Sequence, residues 1–274
     1  MHDTLIEAET LLAQHGSTRY CIVDCRASLG DPAAGRRAWE AGHIPGAVHA
    51  DLETDLSGPV NRGKTGRHPL PDPAILGATL GRWGLDGEMQ LIAYDDNGGA
   101  FAARLWWLAR WLGHRAVAVL NGGLATWREA GGALSTASVL PDPKRFVRGP
   151  ALTRTVDAAD MLHLADTALL DARAEARYAG RSEPIDPVAG HIPGAICASF
   201  EGNLDTNGRF LPAAALRARF LDLLAGRGGA ACYCGSGVTA CHNVLALNIA
   251  GFPEPALYAG SWSEWITDPR RPIA

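Results

Sequence analysis

The chemistry of this chain is concentrated in one run, Ala231-Cys232-Tyr233-Cys234-Gly235-Ser236-Gly237-Val238-Thr239-Ala240-Cys241-His242. Cys234 stands where a short apolar run gives way to a glycine-rich turn and then to a helical pattern. Its sulfur is therefore expected to face the N–H groups of the turn and the positive end of the following helix. Such surroundings bind anions and favour thiolate over thiol. An ordinary free thiol, with a pKa of about 8.5, is only a few per cent ionised at neutral pH. Gly235 and Gly237 allow the positive φ that curls N–H groups towards one centre, Ser236 and Thr239 add hydroxyl donors, and Thr239 is placed to cap the helix. The expected product is an anion cradle around a nucleophilic sulfur.

Spacing separates the chemistries open to such a cysteine. A phosphatase cradle needs an arginine six positions on, where its fork can hold phosphate oxygens, and that position is Ala240. A dithiol redox site needs Cys-x-x-Cys, whereas Cys232-x-Cys234 in a strand points its side chains to opposite faces. Cys241 and His242 do not make a pair of zinc-ligand clusters, so no metal is expected. Val238, Cys241, Leu245 and Ile249 recur at helical spacing, with Gly251 as the C′ residue and Pro253 beyond it, which makes Cys241 a core residue. Cys232, inside the strand, reads the same way.

Internal repetition divides the chain. Val23-Asp24-Cys25-Arg26 followed by Ala41-Gly42-His43-Ile44-Pro45-Gly46-Ala47 recurs as Leu170-Asp171-Ala172-Arg173 followed by Ala189-Gly190-His191-Ile192-Pro193-Gly194-Ala195. The repeat distance is too long for a solenoid and marks a duplicated domain. Position for position, Asp95 in Ala93-Tyr94-Asp95 replaces the Cys234 of the second half, so the first half is expected to be catalytically inactive. Because His43, His191 and the Asp-x-Arg pairs occur in both halves, they read as structural. The Pro-rich stretch 139–152 reads as a linker between a first domain, 1–138, and a second, 153–274.

The 274 residues are 47% hydrophobic and 20% charged, with a net charge of −4, and this balance gives no basic excess for nucleic acid. The first twenty residues mix charges among apolar positions, unlike a signal peptide or membrane span, and six cysteines in apolar strands or turns do not resemble a disulfide framework. A cytoplasmic location without membrane association is expected. Buried-strand runs such as Cys21-Ile22-Val23, Leu91-Ile92-Ala93, Ala168-Leu169-Leu170 and Ala230-Ala231-Cys232 alternate with helical stretches such as 101–112, which predicts an α/β unit in each half. In open parallel sheets, ligands sit at the carboxyl ends of strands, where Cys234 falls.

On both Asp-x-Arg and Gly-His-Ile-Pro-Gly-Ala pairs, the Cys234 loop and Gly260-Ser261-Trp262, the chain resembles the tandem-domain rhodanese family of sulfurtransferases over nearly its whole length. The resemblance implies two rhodanese-like domains, each a mainly parallel sheet flanked by helices. The loop Cys234-Gly235-Ser236-Gly237-Val238-Thr239 is similar to that of 3-mercaptopyruvate sulfurtransferases, whereas thiosulfate-preferring members carry basic residues at the positions of Gly235 and Ser236. Charge supports the distinction: thiosulfate is a dianion suited to a cation in the cradle, and mercaptopyruvate carries one carboxylate away from its sulfur. The resemblance assigns carboxylate binding to Arg177. It places a second arginine after a Glu-Pro pair, but Ile185 follows Glu183-Pro184 here, which leaves Arg181 to reach that place. It also implies a relay of Ser236, His68 and Asp55, with His68 facing Cys234 from the first domain.

The expected activity is transfer of sulfur from 3-mercaptopyruvate through a Cys234 persulfide to a thiol, cyanide or a thioredoxin-like protein, with no cofactor. The alternatives are a thiosulfate sulfurtransferase and a non-catalytic persulfide carrier or sensor.

Overall fold

Short runs of Val, Ile, Leu, Ala and Tyr form strands covered on both faces, as parallel sheets flanked by helices require. In the computed structural model, which describes residues 1–164 and 166–274, the chain divides into two units. The first comprises Met1–Gly58, Pro71–Leu152 and Thr206–Arg209, and the second Pro59–Leu70, Thr153–Asp205 and Phe210–Ala274. Each unit therefore includes a short segment from the other half of the sequence. The stretch 139–152, read as a linker, belongs to the first unit. Lys144 donates its N–H to Gly81 O at 2.8 Å, Gly149 to Leu112 O at 2.9 Å and Leu152 to Arg110 O at 3.0 Å.

In the first unit the elements are β1 (Leu5–Ile6), α1 (Ala8–Ala13), β2 (Tyr20–Asp24), α2 (Ala34–Ala41), β3 (Val48–His49), α3 (Pro73–Arg82), β4 (Gln90–Tyr94), α4 (Ala102–Trp111), β5 (Val117–Leu120) and α5 (Gly123–Glu129). The sheet runs β1-β5-β4-β2-β3 with every pairing parallel. The second unit contains β6 (Arg154–Val156), β7 (Thr167–Asp171), α6 (Glu175–Tyr178), β8 (Ile196–Cys197), α7 (Ala213–Leu224), β9 (Gly229–Tyr233), α8 (Ala240–Ile249), β10 (Ala256–Tyr258) and α9 (Ser261–Trp265). Its order, β6-β10-β9-β7-β8, is the same permutation, again all parallel. Thus β4 and β9 are the central strands, and Asp95 and Cys234 follow their carboxyl ends. Among the described residues no helix is long and apolar enough to cross a membrane.

The repeated motifs brace the sheets. Arg26 Nη2 meets Asp24 Oδ2 at 2.6 Å and Gly42 O at 2.8 Å, and Arg173 Nη2 meets Asp171 Oδ2 at 2.7 Å and Gly190 O at 2.8 Å. The hydroxyls of Tyr94 and Tyr233, the last residues of the central strands, accept the N–H groups of Ile44 and Ile192, each at 3.2 Å. His43 Nδ1 lies 2.7 Å from Trp39 O, and His191 Nδ1 lies 2.9 Å from Tyr178 O. Each motif thus ties its crossover loop to a strand end, a structural role in both units. Removing either arginine would leave a buried carboxylate unpaired, at a cost of about 3–5 kcal/mol.

Candidate active site

Cys234 is the first residue beyond β9 and is 2% exposed. The segment after β10 grips the loop on both sides. Ser261 Oγ accepts the Cys234 N–H at 3.0 Å, Cys234 O accepts the Trp262 N–H at 3.0 Å, and Gly235 O accepts the Ser263 N–H at 2.9 Å. Ser261 itself holds a positive φ of 55°, uncommon for a non-glycine residue, while its hydroxyl donates to Tyr258 O at 2.9 Å. Gly237 is required by space as well as by its φ of 79°, since a Cβ there would lie 2.2 Å from Ala259 O.

The turn so formed sends the Gly237 N–H to Cys234 Sγ at 3.1 Å. The N–H groups of Gly235, Ser236, Val238 and Thr239 have no acceptor among the described residues. Together with the N-terminus of the ten-residue helix α8, they make a site for negative charge. Thr239 occupies the N-cap position of α8 but makes no side-chain capping bond, contrary to the expectation from sequence: its backbone is already helical, with φ −70° and ψ −14°. An extended N-cap geometry is what lets a side-chain oxygen reach back to the first turn.

The segment Pro59–Leu70 packs in the same unit as Cys234, so His68 belongs to the Cys234 unit itself rather than facing it from the first. His68 and Ser236 are both buried, and His68 Nδ1 lies 2.7 Å from Ser236 Oγ. The segment is docked by its backbone: Arg67 donates its N–H to Ser263 Oγ at 3.0 Å, and Gly66 lies so close to Gly260 that a Cβ would come within 2.4 Å of Gly260 O. Gly66→Ala is therefore expected to displace Arg67 and His68 and to lower kcat/KM by about 100-fold, the order of loss that ångström-scale misplacement brings. Steady-state kinetics beside a melting curve checks this; an unchanged kcat/KM would contradict it. Asp55, the third expected relay member, belongs to the first unit, where its carboxylate accepts the Asp51 N–H at 3.0 Å. Burial raises its pKa above the ordinary carboxylate value.

The expected carboxylate-binding arginines part company. Arg177, in α6, holds Glu183 through Nε at 3.0 Å and Nη2 at 2.8 Å, and its Nη2 also meets Asp186 Oδ2 at 3.0 Å. Its guanidinium stands beside the loop, 3.3 Å from where a Cβ on Gly235 would be. Arg181 is not at the site. The turn after α6 carries it outward, where its side chain is 61% exposed and pairs with Glu175 at 2.9 Å. In its place the structure brings Arg67, which sequence reasoning passed over. Arg67 Nη2 is 2.9 Å from the same Gly235 Cβ position, and Nη1 pairs with Asp186 Oδ1. Burial lowers the pKa of the Arg67 guanidinium from its ordinary value, with the Cys234 charge opposing and Arg177 reinforcing the shift. The loop is neutral in sequence, but two guanidinium groups line it. The signal that was available was the Gly-Arg step beside His68.

Cys232 and Cys241 are fully buried, as expected of core residues, and burial raises the Cys232 thiol well above its ordinary pKa. No group of three His, Cys, Asp or Glu side chains among the described residues is placed to hold a metal ion.

The rhodanese-like domain family matches this chain twice, over residues 7–130 and 155–268. A protein of Pseudomonas aeruginosa described as "Probable 3-mercaptopyruvate sulfurtransferase" is 55% identical over 276 residues, spanning 98% of this chain and 97% of that one. The thiosulfate sulfurtransferase of Rattus norvegicus is 34% identical over 249 residues, spanning 84% of this chain and 80% of that one. Among solved structures, the 3-mercaptopyruvate sulfurtransferase of Leishmania major superposes with a TM-score of 0.85 at 30% identity, covering 96% of this chain and 74% of that one. With two parallel five-stranded units and this duplicated match, the chain belongs to the rhodanese family. It is a sulfurtransferase.

Proposed function

We propose that the chain takes sulfane sulfur from 3-mercaptopyruvate, holds it as a persulfide on Cys234, and passes it to a thiol, cyanide or a thioredoxin-like protein. The observation that carries this reading is the placement of Cys234 Sγ 3.1 Å from the Gly237 N–H, in a loop whose Ser236 pairs with His68 at 2.7 Å. The names of the Pseudomonas and Leishmania relatives support the choice of donor.

In the first half-reaction the Cys234 thiolate attacks the donor sulfur. The new S–S bond forms as the donor C–S bond breaks, and the bonding pair leaves with carbon as the enolate of pyruvate. Ser236, hydrogen-bonded to His68, supplies the proton that converts the enolate to pyruvate. Arg177 holds the donor carboxylate, and the N–H groups of Gly235, Ser236, Gly237, Val238 and Thr239 stabilise the charge on the outer sulfur. In the second half-reaction an acceptor thiolate or cyanide attacks that sulfur, the S–S bond breaks, and Cys234 returns as thiolate. The six free cysteines fit a reducing, cytoplasmic setting, where such acceptors are maintained.

The test is steady-state transfer from 3-mercaptopyruvate and from thiosulfate, each to cyanide and to a dithiol. A kcat/KM at least about tenfold higher for mercaptopyruvate, a difference of about 1.4 kcal/mol, is the expected result. A preference for thiosulfate would overturn the choice of donor and show that the two guanidinium groups beside Gly235 serve a dianion.

A further inference from the structure

We infer that Arg67 is a specificity-determining residue for the donor: with Arg177 it forms a two-guanidinium clamp for the carboxylate of a 2-oxo acid. This rests on the reading above that the donor carries such a group.

The clamp is defined by which nitrogens are already committed. Asp186, whose side chain is only 3% exposed, takes Arg67 Nη1 on one oxygen and Arg177 Nη2 on the other, while Glu183 takes Arg177 Nε and Nη2. Arg67 Nη2 and Arg177 Nη1 have no acceptor among the described residues, and they lie 2.9 and 3.3 Å from the Cβ position of Gly235, with the committed Arg177 Nη2 equally near at 3.3 Å. Two forks that share one buried carboxylate are therefore held apart at fixed spacing, each with a donor turned to the loop that carries Cys234. Gly235 is the residue type that leaves room for both. Ile185, exposed on the same strap, brings no cation to it.

Charge counting gives the selectivity a direction. Arg67, Arg173 and Arg177 are balanced by Asp171, Glu183 and Asp186, which pair with them directly. The cluster is thus formally neutral before the Cys234 thiolate is added. A donor that places one carboxylate on the clamp and presents a less charged sulfur to the thiolate meets less repulsion than a compact dianion does. One N–H from each guanidinium also suits a carboxylate, whose two oxygens can accept one charge-assisted bond apiece.

The experiment compares kcat/KM for 3-mercaptopyruvate and for mercaptoacetone, the thiol ketone without the carboxylate, in the wild-type protein and in Arg67→Met. Loss of one charge-assisted contact predicts a fall of about 10- to 100-fold on mercaptopyruvate, carried mainly by KM, and less than about threefold on mercaptoacetone. Arg67→Lys, which keeps the charge and removes the fork, is expected to fall between the two on mercaptopyruvate and serves also if the Met variant folds poorly. Equal losses on both donors, in either variant, would overturn the clamp and assign Arg67 to the sulfur or to the fold. The donor reading is judged separately by the wild-type comparison of mercaptopyruvate with thiosulfate, so either conclusion can fail alone.

Discussion

Cys234→Ser is expected to abolish turnover with every donor, by about a millionfold, on the scale seen when an enzymatic nucleophile is removed. The loss has two sources. A serine hydroxyl is almost entirely un-ionised at neutral pH, and the loop offers no positioned base within its own bonds: the His68 ring is directed to Ser236, at 2.7 Å. Even an ionised oxygen would not serve, because the transferred atom must leave on an exchangeable S–S bond. The folded state should change little. Cys234 anchors the loop mainly through its backbone, with its N–H on Ser261 Oγ and its carbonyl on the Trp262 N–H, both at 3.0 Å, and a hydroxyl can take the place of sulfur opposite the Gly237 N–H. The combination to look for is lost transfer, no gain of one sulfur atom in the intact mass after exposure to donor, and a melting temperature close to wild type. Residual persulfide-dependent transfer would place the nucleophile elsewhere.

The place of Cys234 was legible because a cysteine at the end of a buried strand is a local pattern: apolar run, cysteine, paired glycines, helix. The same locality made the central strands readable. Gln90–Tyr94 is buried at every position and contains the predicted apolar run Leu91-Ile92-Ala93, and Gly229–Tyr233 contains the predicted Ala230, Ala231 and Cys232. Strands β1, β3 and β8 have two residues each, too few to show any period, and were not anticipated. The misses at the site were failures of direction in space. Arg181 has the right residue type near the right segment, but a turn through Gly180, with φ 68°, separates it from α6 and leaves it on the surface beside Glu175. Arg67 is remote in sequence from Cys234 and enters the site only because Pro59–Leu70 packs in the second unit. No periodicity encodes that docking; what records it is Gly66, whose missing side chain admits Gly260 O. Likewise, prolines in 139–152 suggested a linker, while the N–H groups of Lys144, Gly149 and Leu152 are tied to Gly81, Leu112 and Arg110.

The counterpart of the Cys234 loop in the first unit is expected to yield the second large effect. Asp95, fully buried, fills its own cradle: Oδ1 accepts the N–H groups of Asn97 and Gly99, both at 2.9 Å, and Oδ2 those of Phe101 and Ala102, both at 2.8 Å. Where the second unit arranges N–H groups around the Cys234 sulfur, the first satisfies the corresponding groups with a carboxylate at the N-terminus of α4. Four charge-assisted bonds meet there at one buried group, so the loop and the helix start are held by a single side chain. Asp95→Ala leaves those donors without their acceptor and opens a carboxylate-sized gap. The bonds are not additive, but a cost of about 3–5 kcal/mol is expected, comparable to breaking a buried ion pair. Calorimetry should show a fall in Tm on the order of 10 °C. Because the missing group is a carboxylate, formate should recover part of the loss in Asp95→Ala and none in wild type, whereas chloride at equal ionic strength should not. A variant as stable as wild type would mean that backbone and water satisfy the cradle without the anion. Asp95→Asn sharpens the point: its amide nearly matches the carboxylate in shape, but one of its two terminal atoms is a donor facing donors. It should therefore be destabilised too, and formate should not rescue it, because the gap is filled.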